Sequence, residues 1–211
     1  EPELSKEDLD DIRKAQSVRR ERKFVVPIAF LDSGILHRHP VFRGWKITDK
    51  DFTGEGPEDH NGHGTLVMLI ALKYAMPGAK DWLEIYNVKV LDRYGEGDPE
   101  KVKEALNWVS REVLPRRGMA VVNMALGVPK DLDASLCEHA AKLSQCTPTG
   151  ACTGLVIVTA VGNDPDIPMC PAAASSDLNR ILPTGVPGLE PPSPVVTFTR
   201  PPIGLVPSKR K

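Results

Sequence analysis

Four short, largely apolar runs punctuate the middle of the chain: Val25-Val26-Pro27-Ile28-Ala29-Phe30-Leu31, Ile85 to Leu91, Met119 to Leu126, and Leu155 to Val161. Continuous rather than alternating runs of this length suit strands buried on both faces of a parallel sheet. Helical patterns lie between them. The clearest has Asp98 as N-cap and Pro99 at the first helical position, then places Val102, Ala105, Leu106, Val109 and Val113 on one stripe. A second helix is expected from about Asp133 to Leu143, and a third from His63 or Gly64 toward Met76. This alternation predicts a doubly wound α/β fold, a mainly parallel sheet with helices on both faces. Ligands in such sheets sit at the carboxyl ends of the strands, where Asp32, Ala125 to Gly127 and Gly162-Asn163 would converge.

The flanks read differently. Residues 1–23 hold fourteen charged side chains and form a charged lead-in in which Ser5-Lys6-Glu7-Asp8 resembles a capped helix start. Residues 24–176 carry the strand and helix rhythm. Residues 177–211 read as a Pro-rich irregular tail, with eight prolines between positions 183 and 211, a composition that does not sustain a central strand or helix. The 211 residues, 41% hydrophobic and 26% charged, suffice for one domain with a sizeable core.

A net charge of −1 gives neither nucleic acid nor an anionic membrane an electrostatic reason to bind. No segment approaches the eighteen or so apolar residues of a membrane span. The first residue is Glu and no apolar signal region precedes the fold, so a missing native start or a processed form is expected and the compartment stays open. Cys137, Cys146, Cys152 and Cys170 show neither a C-x-x-C pair nor a matching His cluster. That argues against structural zinc and leaves buried thiols or one or two disulfides.

Single motifs are weak. Asp32-Ser33-Gly34 after a strand is a common Asx turn, His63 before Gly64-Thr65 is a common turn histidine, and Asn163 beside Gly162 is a turn former. Their order is more specific. Leu31-Asp32-Ser33-Gly34, Asn61-Gly62-His63-Gly64-Thr65-Leu66-Val67, Val121-Val122-Asn123-Met124-Ala125-Leu126-Gly127 and Thr159-Ala160-Val161-Gly162-Asn163 together resemble the subtilisin-like serine proteases, the subtilases, over roughly residues 24–175. Tyr86 to Leu91, ending near Gly95-Glu96-Gly97, is similar to the family's strand leading to its substrate edge. Cys170-Pro171-Ala172 is similar to its Tyr-Pro-Ala turn. The other protease class with an Asp-Ser-Gly, the aspartic proteases, needs an all-β fold and a second such motif or a symmetric dimer, and the α/β rhythm with the His63 and Asn163 blocks disfavours it.

The resemblance implies a serine endopeptidase cutting peptide bonds through an acyl-enzyme. His63 would be the general base, Asp32 its hydrogen-bonding partner, and Asn163 an oxyanion donor. Ala125-Leu126-Gly127, Gly162 and Gly95-Glu96-Gly97 would line a cleft that takes an extended polypeptide through main-chain hydrogen bonds. One element is missing. Ser175, Ser176, Ser193 and Ser208 are the only serines after Asn163, and none stands in the family's Gly-Thr-Ser-x-Ala setting. The expectation is a truncated, inactive product, incomplete at its C-terminal end. The alternative is a pseudoprotease or peptide-binding regulatory module on the same fold. Calcium is implied by family analogy only, and no acidic cluster maps onto a ligand set.

Overall fold

A computed structural model describes residues 25–75, 78–164, 166–177, 179–184 and 203–204. The helix start expected at Ser5 lies outside the described residues. The elements follow as β1 (Val26–Asp32), β2 (Ile47–Asp51), α1 (His63–Lys73), β3 (Leu83–Lys89) and α2 (Pro99–Trp108). A π-helical turn (Val109–Val113) and α3 (Leu114–Arg117) extend α2. Then come β4 (Ala120–Met124), β5 (Leu126–Pro129), α4 (Ser135–Leu143), β6 (Leu155–Ala160), β7 (Met169–Cys170), β8 (Ile181–Thr184) and β9 (Ile203–Gly204).

Six strands make one sheet in the order β2-β3-β1-β4-β6-β8, and every pairing in it is parallel. The alternation of side chains splits the core by face. Ala29 and Leu31 of β1 join Tyr86, Val88, Val122, Met124, Leu155 and Ile157 under the α2 stripe of Val102, Ala105, Leu106, Val109 and Val113. Ile28 and Phe30 face the other way, with Ile47, Ile85 and α1's Val67 and Met68. Helices on both faces let β1 and β3 bury both of their sides, whereas β4 and β6, expected to do the same, bury alternate residues and leave Val121, Asn123, Val156, Val158 and Ala160 half-buried. Asp98 accepts from Glu100 N–H at 2.9 Å, the cap its position implies.

Three differences from the sequence reading have physical causes. Met119 to Leu126 is not one strand, because the chain leaves the main sheet at Ala125 and Leu126–Pro129 joins a smaller three-stranded sheet, β7-β5-β9. Ile47–Asp51 carries no apolar run, yet each of its residues pairs with one of Ile85 to Lys89 of β3, as an edge strand. β8 falls inside the stretch expected to be irregular. Its Pro183 is tolerated because β8 has a strand on one side only, so the missing N–H need not belong to any ladder.

The cysteines form two disulfides, Cys137–Cys170 and Cys146–Cys152. The first ties α4 to β7, the immediate neighbour of β5.

Candidate active site

Asp32 ends β1, and its position is fixed by backbone before its side chain does anything. In the parallel register Asp32 lies opposite Lys89, and its carbonyl accepts from the N–H groups of Val90 and Leu91 at 2.8 and 3.2 Å. The residue is 3% exposed. His63 opens α1 directly after Gly62, whose φ of 98° a side chain would resist. The helix start then sits on the strand end with no room to spare. A Cβ at Gly64 would collide with the Gly34 carbonyl and come within 3.1 Å of both Asp32 Cβ and Oδ1.

This close approach delivers the imidazole. His63 Nδ1 stands 2.8 Å from Asp32 Oδ1 and 3.0 Å from Oδ2. A carboxylate only accepts, so Nδ1 carries the proton and Nε2 is left as the basic nitrogen. Ser33 N–H also donates to Asp32 Oδ1, at 2.7 Å. The aspartate therefore meets the ring with both oxygens while held by its own backbone.

Asp59, absent from the sequence reading, organises the rest. Its Oδ1 accepts from Ser33 Oγ (2.9 Å), Asn61 N–H (3.0 Å) and Gly62 N–H (2.8 Å). Its Oδ2 accepts from Thr65 N–H (2.9 Å) and Thr65 Oγ1 (2.5 Å). Ser33 Oγ in turn accepts from Gly64 N–H at 3.0 Å, and Thr65 Oγ1 from Leu36 N–H at 2.9 Å. Helix starts leave amides without internal partners. In α1 these go to Asp59, to Ser33 and, from His63, to Asn61 Oδ1 at 3.3 Å, with no capping side chain at Gly62. Burial works against the Asp59 charge, but the Thr65, Gly62 and Ser33 hydrogen bonds outweigh it and hold the carboxyl below its ordinary range. A signal existed: an Asp two and three residues before Asn61 and Gly62 amides is an Asx turn.

A buried cation braces the same corner. Lys89 is 0% exposed; its Nζ donates to the Ser33 carbonyl at 2.7 Å and lies 3.6 Å from Glu55 Oε2. Glu55 also accepts from Arg93 N–H and Nε, and the Arg93 side chain beside it lowers its pKa. Asn61 Nδ2 reaches the Arg93 carbonyl at 3.4 Å. The turn holding Gly95, Glu96 and Gly97 is thereby attached to the His63 loop. That turn is closed by Asp92, whose Oδ1 accepts from Tyr94 and Glu96 N–H and whose own N–H donates to the Glu96 carbonyl.

The remaining candidate residues lie farther along the sheet. Ala125 packs against the cluster of Phe30, Ile35, Val67 and Met68, placing the entry to β5 beside α1. Leu126 and Gly127 are in β5. Gly162, with φ 99°, and the exposed Asn163 follow β6. β6 is two strands from β1, a separation of about 10 Å at sheet spacing. So the structure brings Asp32 and His63 into contact and sets Asn163 after β6, at the same end of the sheet. Met169 lines the gap: a Cβ on Gly127 would meet its Cε at 3.4 Å, and one on Gly162 would meet its Cγ at 2.6 Å. Among the described residues no group of three His, Cys, Asp or Glu is arranged to hold a metal ion, and no helix is long and apolar enough to cross a membrane.

Comparison with known proteins agrees with this geometry. Residues 25–191 match the model of the subtilase family, peptidase family S8. Subtilisin Savinase of Lederbergia lenta is 32% identical over 145 residues, which cover 65% of this chain and 48% of that protein. Subtilisin-like protease 6 of Trichophyton equinum is 36% identical over 109 residues, 47% of this chain and 26% of that protein. The chain thus spans about half the length of the first relative and about a quarter of the second. Among solved structures, sphericase superposes with a TM-score of 0.53 at 23% identity, covering 77% of this chain and 53% of its own, a likeness of fold. With the family model spanning most of its length, this chain belongs to the subtilase family.

Proposed function

We propose that the chain carries the base and the peptide-binding edge of a subtilisin-type serine endopeptidase site, and that as these 211 residues alone it binds extended polypeptide without hydrolysing it. The Asp32–His63 contact carries the reading. With Nδ1–H held by the carboxylate, Nε2 is the nitrogen that takes a proton from a serine hydroxyl and returns it to the leaving amine. Asp32 fixes the tautomer and stabilises the imidazolium. The Asn163 amide, at the end of β6 two strands from β1, is the side-chain donor for an oxyanion. Gly95-Glu96-Gly97 and Ala125-Leu126-Gly127, with Gly162, supply the two backbone edges between which a substrate lies as an added strand.

The nucleophile is what the chain lacks. Its only Gly-Thr is Gly64-Thr65, inside the His63 block. Ser175 Oγ donates to the Ile181 carbonyl at 2.9 Å and is engaged in the turn before β8. In subtilisin, loss of the nucleophile costs on the order of 10⁶ in kcat. A fluorophosphonate probe tests this directly: the purified chain should take no label, and an adduct on any serine would overturn the inactivity. Fluorescence anisotropy with a labelled extended peptide tests the binding half of the reading, which fails if no saturable binding is seen.

A further inference from the structure

β5 has two edges and both are taken. β7 pairs antiparallel on one side, Val128 opposite Cys170 and Pro129 opposite Met169. On the other side lies β9, parallel, with Leu126 opposite Ile203 and Gly127 opposite Gly204. The second pairing joins the C-terminal segment to the two residues assigned above to substrate backbone. We propose that this segment is an internal occupant of the peptide edge, so that the chain blocks its own cleft with Ile203–Gly204. The inference rests on the reading of Leu126–Gly127 as a peptide-binding edge.

Three observations favour an occupant that can be displaced over a permanent strand. The pairing is two residues long, and each backbone hydrogen bond nets only about 1 kcal/mol in water. It adds to the small sheet and not to the six-stranded one that holds the core. Residues 185–202 tether it to β8, and an intramolecular contact of this kind competes at an effective concentration on the order of millimolar. Weak bonds held at high local concentration block a weak peptide while yielding to a longer one that pairs along the whole edge. The Pro201-Pro202 pair just before Ile203 also reduces the freedom the segment loses on ordering.

The main-chain pairing makes the test simple, because proline removes the N–H a ladder needs. In the full chain carrying Ile203→Pro and Gly204→Pro, hydrogen exchange followed by NMR reads the Leu126 and Gly127 amides. Anisotropy reads binding of a fluorescein-labelled peptide copying residues 199–206. Release of the edge should lower protection of at least one of these amides tenfold or more and tighten peptide binding about tenfold, as expected when the open edge is a tenth of the wild-type population. Unchanged protection in the folded double variant overturns the self-occupancy. Lost protection with no peptide binding to either form overturns the reading of β5 as a peptide edge, and the inhibitory meaning falls with it.

Discussion

Replacing Asp59 by Ala should loosen the corner that presents His63, and the structure sets the scale. The carboxylate satisfies five donors. Asn61 and Gly62 are exposed, so water can take over their amides at little cost. Ser33 is 0% and Thr65 9% exposed, so Ser33 Oγ, Thr65 N–H and Thr65 Oγ1 lose partners where water does not follow. Buried orphan donors cost roughly 1–3 kcal/mol each, which puts Asp59→Ala at about 3 kcal/mol at the low end. For a chain of this size that is a fall in Tm of about 6–12 °C. Thermal and urea denaturation measure it, and a loss below about 1 kcal/mol would refute the claim that Asp59 ties α1 to β1.

The same carboxylate makes a pH argument with a definite sign. Its folded pKa is depressed below the ordinary 3.8, so the unfolded chain binds more protons in that range. The stability it confers is complete above about pH 4 and is lost as pH falls through the folded value. Asp59→Asn should remove this component of the acid limb. The amide offers one oxygen and presents its own donors to the other set of N–H and O–H groups, so it does not restore neutral-pH stability. An Asn variant as stable as wild type at pH 7 would mean that the bonds, though present, do little.

Other outcomes follow from the same geometry. Gly64→Ala pushes a methyl into the Gly34 carbonyl and Asp32; it should cost about 1–3 kcal/mol and shift the His63 imidazole resonances, and unchanged spectra in a folded variant would show that the helix start has slack. Burial first, then the Lys103 charge, depress the pKa of His139, so its contribution to stability is present above the unfolded value of about 6.5 and falls below it; His139→Gln should flatten a stability profile taken between pH 7.5 and 5. Ile157→Ala at 0% exposure should cost about 2–5 kcal/mol, whereas Leu182→Ala on the neighbouring β8, 49% exposed, should cost within about 0.5 kcal/mol, and equal losses would mean that this face of the sheet is covered.

What could be read from the sequence was what local chemistry announces. The α2 stripe and its Asp98-Pro99 start are visible because helical period and capping are short-range, and all five stripe residues are buried. β1 is visible because a strand covered on both faces must be apolar throughout, and β6 because its run is continuously apolar even though Val156, Val158 and Ala160 are only half-buried. β2 was not legible: as an edge strand its sequence, Ile-Thr-Asp-Lys-Asp, need satisfy only one neighbour. The break at Ala125 was equally hidden, since Met119 to Leu126 stays apolar across the point where the chain changes sheets. Nor could Cys137 find Cys170 from spacing, because a helix face and a strand in the second sheet decide that pairing.

The site divides along the same line, and the division bears on how it works. Asp32, Ser33, Asp59, His63 and Thr65 all come from residues 26–73, through a strand, a loop and one helix, and every bond among them closes within that span. Asn163, Met169 and β9 belong to the later part, joined to the first through the sheet and through Ala125 against the cluster that includes Phe30 and Met68. The hydrogen bonds that tie Asp32, Asp59 and the start of α1 together are therefore local to this first part. They account for Nδ1 lying within 3.0 Å of both Asp32 oxygens: the Asp59 and Ser33 hydrogen bonds fix the start of α1 against the end of β1. Asn163→Ala should accordingly leave the stability that Asp59 confers unchanged in thermal denaturation, since all five hydrogen bonds to Asp59 come from Ser33, Asn61, Gly62 and Thr65.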